Sequence, residues 1–197
     1  MKKVRNVLRK IVQRYGPPGV KQALWDREFA GGKWNCLERF GTDPIYPHLE
    51  QHARQGRILD LGCGPGTTAN ELSPAVYQTY TGVDISEVAL QTARRRSEQH
   101  GRADRHEFVQ ADLISYTPKG SYSVILLGDS LYYLPPKVRP SVLTRYATHL
   151  TPDGVLIIKL NGMPKHYPIV VMIGETFNVL DKTFYEPDVY VLTCRPR

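Results

Sequence analysis

Ile58-Leu59-Asp60-Leu61-Gly62-Cys63-Gly64-Pro65-Gly66-Thr67 is the stretch on which the fold turns. Ile58 to Leu61 reads as a short strand buried on both faces. It breaks into a loop with glycine at every second position, and a helix is expected to follow. Glycine takes backbone angles that other residues resist, and it lets a ligand come into contact with the main chain. A strand, a glycine loop and a helix start together make a nucleotide-type site at the carboxyl edge of a parallel sheet. The spacing narrows the ligand. A dinucleotide fold favours G-x-G-x-x-G, and Thr67 stands where its third glycine would be. That disfavours a nicotinamide-dependent oxidoreductase.

Working outward, strand-like runs at 57–61, 79–84, 106–110, 122–127 and 154–160 alternate with helical stretches, clearest at 86–100 and 136–150. Ser86 followed by Glu87 is a good helix start and Gly101 a good stop. Strands alternating with helices imply right-handed crossovers and a parallel sheet. A further helix is expected at 165–176, then strands at 179–185 and 188–194. The link between those two is too short for a crossover, so they should pair antiparallel. Before the alternation lie three helical segments, at about 4–15, 22–30 and 43–54. The chain divides into an N-terminal helical cap with a basic arm (1–55) and a ligand-binding domain (56–197).

The loop and the order of elements resemble the class I S-adenosylmethionine-dependent methyltransferases over about residues 56–196. The resemblance implies an α/β, Rossmann-like sheet of seven mostly parallel strands. The implied order is 3-2-1-4-5-7-6, with the last strand antiparallel, helices on both faces and a helical cap. It also implies S-adenosyl-L-methionine as cofactor. Asp84 ends the second strand, 22 residues after Gly62 and next to Ile85. An acid at about that distance accepts hydrogen bonds from ribose hydroxyls. Asp112 follows the third strand. The family places an acid there against the adenine amino group, with the next amide, here Leu113, on the ring. Gly128-Asp129 follows the fourth strand, where the family lines the gap between cofactor and substrate. Asp60 is expected beneath the loop, bonding loop amides or the cofactor's amino group through water, with a structural role the alternative. Gly62, Gly64 and Gly66 form the cradle, and Cys63 is a small filler. An isolated Asp at a strand end is often a cap or turn residue; three in order after this loop are more specific. Tyr122-Ser123 stands where many members have Phe-Asp, and Asn-Pro-Pro-Tyr is absent after strand four. The branch resembled is the one acting on small molecules.

Methyl transfer is an in-line displacement on an electrophile that the cofactor supplies. The protein's share is positioning, and a base where the acceptor is protonated. His166, Asp129 and Tyr132 are the candidates for that chemistry, with His166 as general base. Tyr133 follows Tyr132. Trp25, Phe29 and Trp34 can face a sulfonium as aromatic rings face ammonium ions, or simply seal the cap. Arg27 or Arg39 could hold the methionine carboxylate. His48 and His52 stand at i, i+4 without a third ligand, so no metal site is expected.

Composition sets outer bounds. With 197 residues, 41% hydrophobic and 23% charged, the chain is globular in character. Three scattered cysteines argue against a disulfide framework and fit a reducing, cytoplasmic setting. The net charge of +7 sits in residues 1–21, which hold seven cations and no acid; beyond them 19 cations match 19 acids. That weakens a nucleic-acid reading of the whole domain. In the first helix Val4, Val7, Leu8, Ile11, Val12 and Tyr15 recur at helical spacing among the cations. It can pack its apolar face on the domain and leave the cations solvated. Alternatively, residues 1–16 can touch an anionic membrane or RNA, or serve as a transit peptide. The leading function is methylation of a small molecule, at oxygen rather than nitrogen. Alternatives are an RNA or protein methyltransferase docking through this helix, and a binding module without catalysis.

Overall fold

The strand that opens the glycine loop, β1 (Arg57–Leu61), lies in the interior of a seven-stranded sheet. The others are β2 (Thr79–Asp84), β3 (His106–Gln110), β4 (Tyr122–Gly128), β5 (Leu150–Asn161), β6 (Asn178–Tyr185) and β7 (Val189–Arg195). Their order is β3-β2-β1-β4-β5-β7-β6, as the resemblance implies. β1 pairs parallel with β2 and β4, β2 with β3, and β4 with β5. β7 runs antiparallel to both β5 and β6. The computed structural model describes residues 2–35 and 43–197, the side chains at 2, 3 and 5 excepted. Arg39, one candidate for a carboxylate, lies outside the described residues.

Alternation along the strands builds two cores. Leu59, Leu61, Ile125, Leu127, Leu156 and Ile158 face one side. There they meet Leu143 and Tyr146 of α6 (Arg139–Ala147) and Ile169 and Ile173 of α7 (Tyr167–Thr176). Ile58, Val124, Leu126, Val155 and Ile157 face the other side, against Leu49 and Ala53 of α3 (Tyr46–Ala53) and Ala69 of α4 (Thr67–Glu71). Strands buried on both faces read as near-continuous apolar runs, which is why they were legible.

Two expectations are corrected. The helix expected through 136–150 is a 3-10 turn at Pro136–Val138 followed by α6 from Arg139, and β5 begins at Leu150. Pro140 lacks an N–H and belongs in a helix's first turn, so it marks a start within the expected span. β5 enters early because the register shifts between Tyr122 and Val124; a Cβ on Gly154 would meet the Tyr122 carbonyl oxygen at 2.8 Å. The second correction concerns α1 (Lys2–Tyr15). Its apolar residues Val4, Val7, Leu8, Ile11 and Tyr15 are exposed, while Gln13 is buried and Arg9 half-buried. The polar face packs on the body, the reverse of the packing expected of a core-facing helix.

α2 (Pro18–Ala30) lies over the carboxyl edge of the sheet. Asp26 accepts from the Ser86 hydroxyl (2.7 Å) and the Val88 amide (3.2 Å) at the start of α5 (Glu87–Gln99). Lys21 pairs with Asp112, and Trp25 meets the Tyr133 ring edge-on at 4.9 Å. Among the described residues no helix is long and apolar enough to cross a membrane.

Candidate active site

A cavity of about 620 Å³ opens at the carboxyl ends of β1 to β5, beneath α2. Five neighbouring strand ends at ~4.8 Å per strand give this edge a length of about 19 Å. Along it stand Asp112 after β3, Asp84 ending β2, the glycine loop after β1, Gly128-Asp129 at β4 and Asn161 ending β5. The cofactor candidates named from the sequence line this cavity, except Gly66 and Arg27, which do not, and Arg39, which lies outside the described residues.

The loop is shaped by its glycines. Gly62 has φ 88°, and a Cβ there would lie 2.5 Å from Cβ of Ser130. Gly66 has φ 71° and closes on Ala93, which a Cβ would meet at 2.7 Å. The helix behind the loop, α4, has only five residues. Its N-terminus is a weak anion site, so the loop's value lies in its bare main chain. Ser130 Oγ is buried and has no hydrogen-bond partner among the described residues.

Asp84 accepts the Gly64 amide (2.9 Å) on one oxygen and the Ser86 amide (2.9 Å) on the other. Burial pushes its carboxyl up, against the pull of these amides. A carboxylate has about four acceptor sites, so the backbone amides leave it capacity to accept from a diol. Asp60 is buried and accepts from the Tyr80 hydroxyl in place of the expected loop amides. Burial pushes its carboxyl up to about 7, with the tyrosine bond opposing. Cys63 is a buried free thiol against Gly82, held well above its ordinary value by burial. Asp112 accepts the Ile114 amide (2.9 Å) on one oxygen and meets Lys21 on the other. The carboxylate expected to face adenine alone is therefore shared with a cation from the cap.

At the far end, Asp129 has φ 57°, uncommon for a residue with a side chain. It is held there by the Asn161 amide (2.9 Å), the Asn161 side chain and Lys159 (3.2 Å). Lys159 also pairs with Asp43. Burial alone would lower the Lys159 ammonium, but the two carboxylates outweigh it and hold it raised. Burial and then Asp129, which accepts its hydroxyl, drive Tyr132 far above the ordinary phenol range; Tyr133 is pushed up to about 12.

His166 is not part of the cavity wall. It is buried at the start of α7, with its ring stacked on Tyr132 at 4.4 Å. Burial, with Lys165 and Arg139 nearby, holds its imidazole below the ordinary value. The general-base expectation thus meets a side chain shielded from the cavity by Tyr132. Arg27 is exposed and away from the wall. His48 bonds the Tyr185 hydroxyl (3.1 Å), and among the described residues no cluster of three or more potential ligands could hold a metal.

The aromatic roof is continuous. Trp25 lies 6.3 Å from Phe29 and 5.7 Å from Trp34, and all three line the cavity. Buried Glu28 ties this roof together. It accepts from Arg9 (3.1 Å), Gln13 (3.4 Å) and the Trp34 indole (3.1 Å), and pairs with Lys33 (2.9 Å).

Lys21, Gln13, Asp43, Lys159 and Asn161 are wall residues that sequence reasoning missed. Lys159 carried a signal, as the one charge in the apolar run Val155-Leu156-Ile157-Ile158-Lys159-Leu160. The others had none, because their partners are distant in sequence.

Residues 58–154 match the family described as a methyltransferase domain. The carboxy-S-adenosyl-L-methionine synthase of Desulfotalea psychrophila is 31% identical over 114 residues, covering 56% of this chain and 46% of that protein. The ubiquinone biosynthesis O-methyltransferase of Thiobacillus denitrificans is 31% identical over 120 residues, covering 60% of this chain and 50% of that one. The chain thus spans about half the length of these relatives. The crystal structure of magnesium protoporphyrin IX methyltransferase from Synechocystis, with S-adenosylmethionine bound, superposes with a TM-score of 0.67 at 18% identity. That alignment covers 88% of this chain and 96% of the other, and it establishes likeness of fold. S-adenosylmethionine is the cofactor of the family to which these features lead. The domain match over residues 58–154, the order of motifs and the strand topology identify in this chain a methyltransferase domain of the class I S-adenosylmethionine-dependent type.

Proposed function

We propose that the protein transfers a methyl group from S-adenosylmethionine to a small-molecule acceptor, at oxygen rather than nitrogen. One observation carries this reading: one cavity joins the carboxylate of Asp84 to a space beyond β4 lined by Tyr132 and Tyr133. The bare cradle at Gly62 and the unpartnered Ser130 hydroxyl fit an adenosyl amino acid. In this reading Asp84 and Ile85 hold the ribose, and Asp112, with Lys21 on it, and Leu113 hold the adenine edge. The loop with Cys63 and Gly64, together with Gly128, holds the methionine portion. Residues 1–55 act as the roof, with Trp34 over the cofactor. Bound there, the cofactor supplies an electrophilic methyl group.

The chain's own work is orientation and exclusion of water. Asp129, Tyr132, Tyr133 and Leu134 line the space left for the acceptor. Asp129 is anchored by Lys159 and Asn161, so it offers a fixed acceptor for a hydroxyl proton. His166 orients Tyr132 from behind. The similarity to a ubiquinone biosynthesis O-methyltransferase supports oxygen, and the flat aromatic walls suit a ring-bearing acceptor.

The test is incubation with methyl-labelled cofactor and two probes, a catechol and a primary amine. Label on the catechol with matching S-adenosylhomocysteine supports the reading. Label on the amine alone moves the acceptor atom to nitrogen. Cofactor binding with neither product favours a binding module.

A further inference from the structure

Helix α1 faces outward with the side that a globular helix buries. Val4, Val7, Leu8, Ile11 and Tyr15 lie on one stripe and are between 49% and 63% exposed. The helix cannot simply roll over to bury them, because its opposite side is fastened. Arg9 and Gln13 bond Glu28, and the Arg14 guanidinium donates to the Tyr132 carbonyl at 2.8 Å. The sequence around the stripe is basic, since residues 1–21 hold seven cations and no acid; Arg9 and Lys21 pair with Glu28 and Asp112 on the inner side, and Lys10 is exposed. Lys165, at the approach to α7, adds another: burial, then Lys10 and Arg14, hold its ammonium below the ordinary value. Among the groups that face this end of α1 are Arg139, itself lowered by burial and by Arg14, and His166. Tyr167 and Val171 of α7 are exposed as well.

We propose that α1 docks the protein on an anionic lipid bilayer, with its apolar stripe laid in the interface and its cations against the headgroups. An apolar face flanked by Lys and Arg, with no acid, is complementary to such a surface, and it sinks ~5–10 Å into the headgroup boundary. A protein partner would have to supply both an apolar groove and an excess of acid. The placement has a consequence for the site. Gln13 of α1 lines the cavity, and Arg14 holds the segment that carries Tyr132. Docking therefore brings the cavity roof to the membrane plane, within reach of an acceptor that partitions into lipid. Docking itself does not depend on the proposed acceptor or on methyl transfer.

The experiment is flotation of the full chain with vesicles of phosphatidylcholine alone or mixed with phosphatidylglycerol. At low ionic strength the bound fraction should be about tenfold higher on the anionic vesicles, and it should fall as salt is raised. Two variants separate the contributions. Leu8→Gln/Ile11→Gln alters exposed positions only and should lower binding about tenfold without changing the melting temperature. Lys10→Glu leaves the stripe intact and should lower binding to anionic vesicles by about the same factor. Equal binding to both vesicle types overturns the proposal, as does a double variant that floats like wild type. A stable dimer that protects α1 from proteolysis and does not float would overturn it too, and would assign the stripe to a second copy.

Discussion

The sheet and the cap that covers it are held together by different chemistry. In the sheet, Ile58, Leu59, Ile125, Leu126, Leu156 and Ile157 are fully buried, and the strands pair in unbroken register between β1 and both neighbours. In the cap, α2 is joined to the edge through Lys21–Asp112 and Asp26–Ser86 and to α1 through the cluster around Glu28, and Asp43 reaches Lys159. Apolar burial is indifferent to salt and pH over ordinary ranges, whereas ion pairs weaken as either moves. The part of the site on the sheet therefore rests on apolar burial, and its roof rests on charged and polar pairings.

The largest effect should come from the sheet. Leu59 is 0% exposed, and Leu59→Ala should cost ~3–5 kcal/mol in urea unfolding. A cost well under ~1 kcal/mol would show that the core does not carry the stability.

Next comes Asp60, the buried acid of β1. The Asp60 carboxyl is raised from 3.8 to about 7 in the folded protein. Below about pH 4 it is protonated in both folded and unfolded chains and contributes nothing. Between about pH 4 and about pH 7 the folded protein keeps a proton that the unfolded chain has lost, so stability falls as pH rises. Above about pH 7 the loss is complete, at most about 4 kcal/mol. Asp60→Asn should match wild type near about pH 4 and exceed it near neutrality. A difference between the two proteins that does not change with pH would contradict the buried-carboxyl account.

The cap should respond most weakly in global stability and most strongly in local opening. Lys21→Met removes the partner of Asp112, but α2 can lift and let that carboxylate rehydrate. The expected loss is ~1 kcal/mol in global unfolding, with proteolysis within residues 1–35 about tenfold faster under native conditions. Should the variant lose as much global stability as Leu59→Ala, the cap would be part of the cooperative core and the contrast would fail.

The same contrast explains what the sequence made legible. β1 and β2 fall where their apolar runs and bounding turns place them, because burial on two faces writes itself as a local pattern. The glycine loop and the acids at successive strand ends were readable because the chemistry sits at the ends of those runs. The cap was readable only as helices. Which face of α1 turns inward depends on Glu28, 19 residues from Arg9, and Lys21 meets Asp112 across 91 residues. Pairings at such separations leave no periodic trace. His166 shows the same limit: it follows a strand on the correct edge, yet Tyr132 occupies the place between it and the cavity.

Titration calorimetry with S-adenosylmethionine, on wild type and on Asp84→Ala, bears most directly on the central claim that this edge holds an adenosyl sulfonium. Wild type should bind at one site, and the variant should bind ~1–3 kcal/mol more weakly through loss of charge-assisted hydrogen bonds. No heat of binding to the folded wild type, or an affinity that Asp84→Ala leaves unchanged, would contradict it.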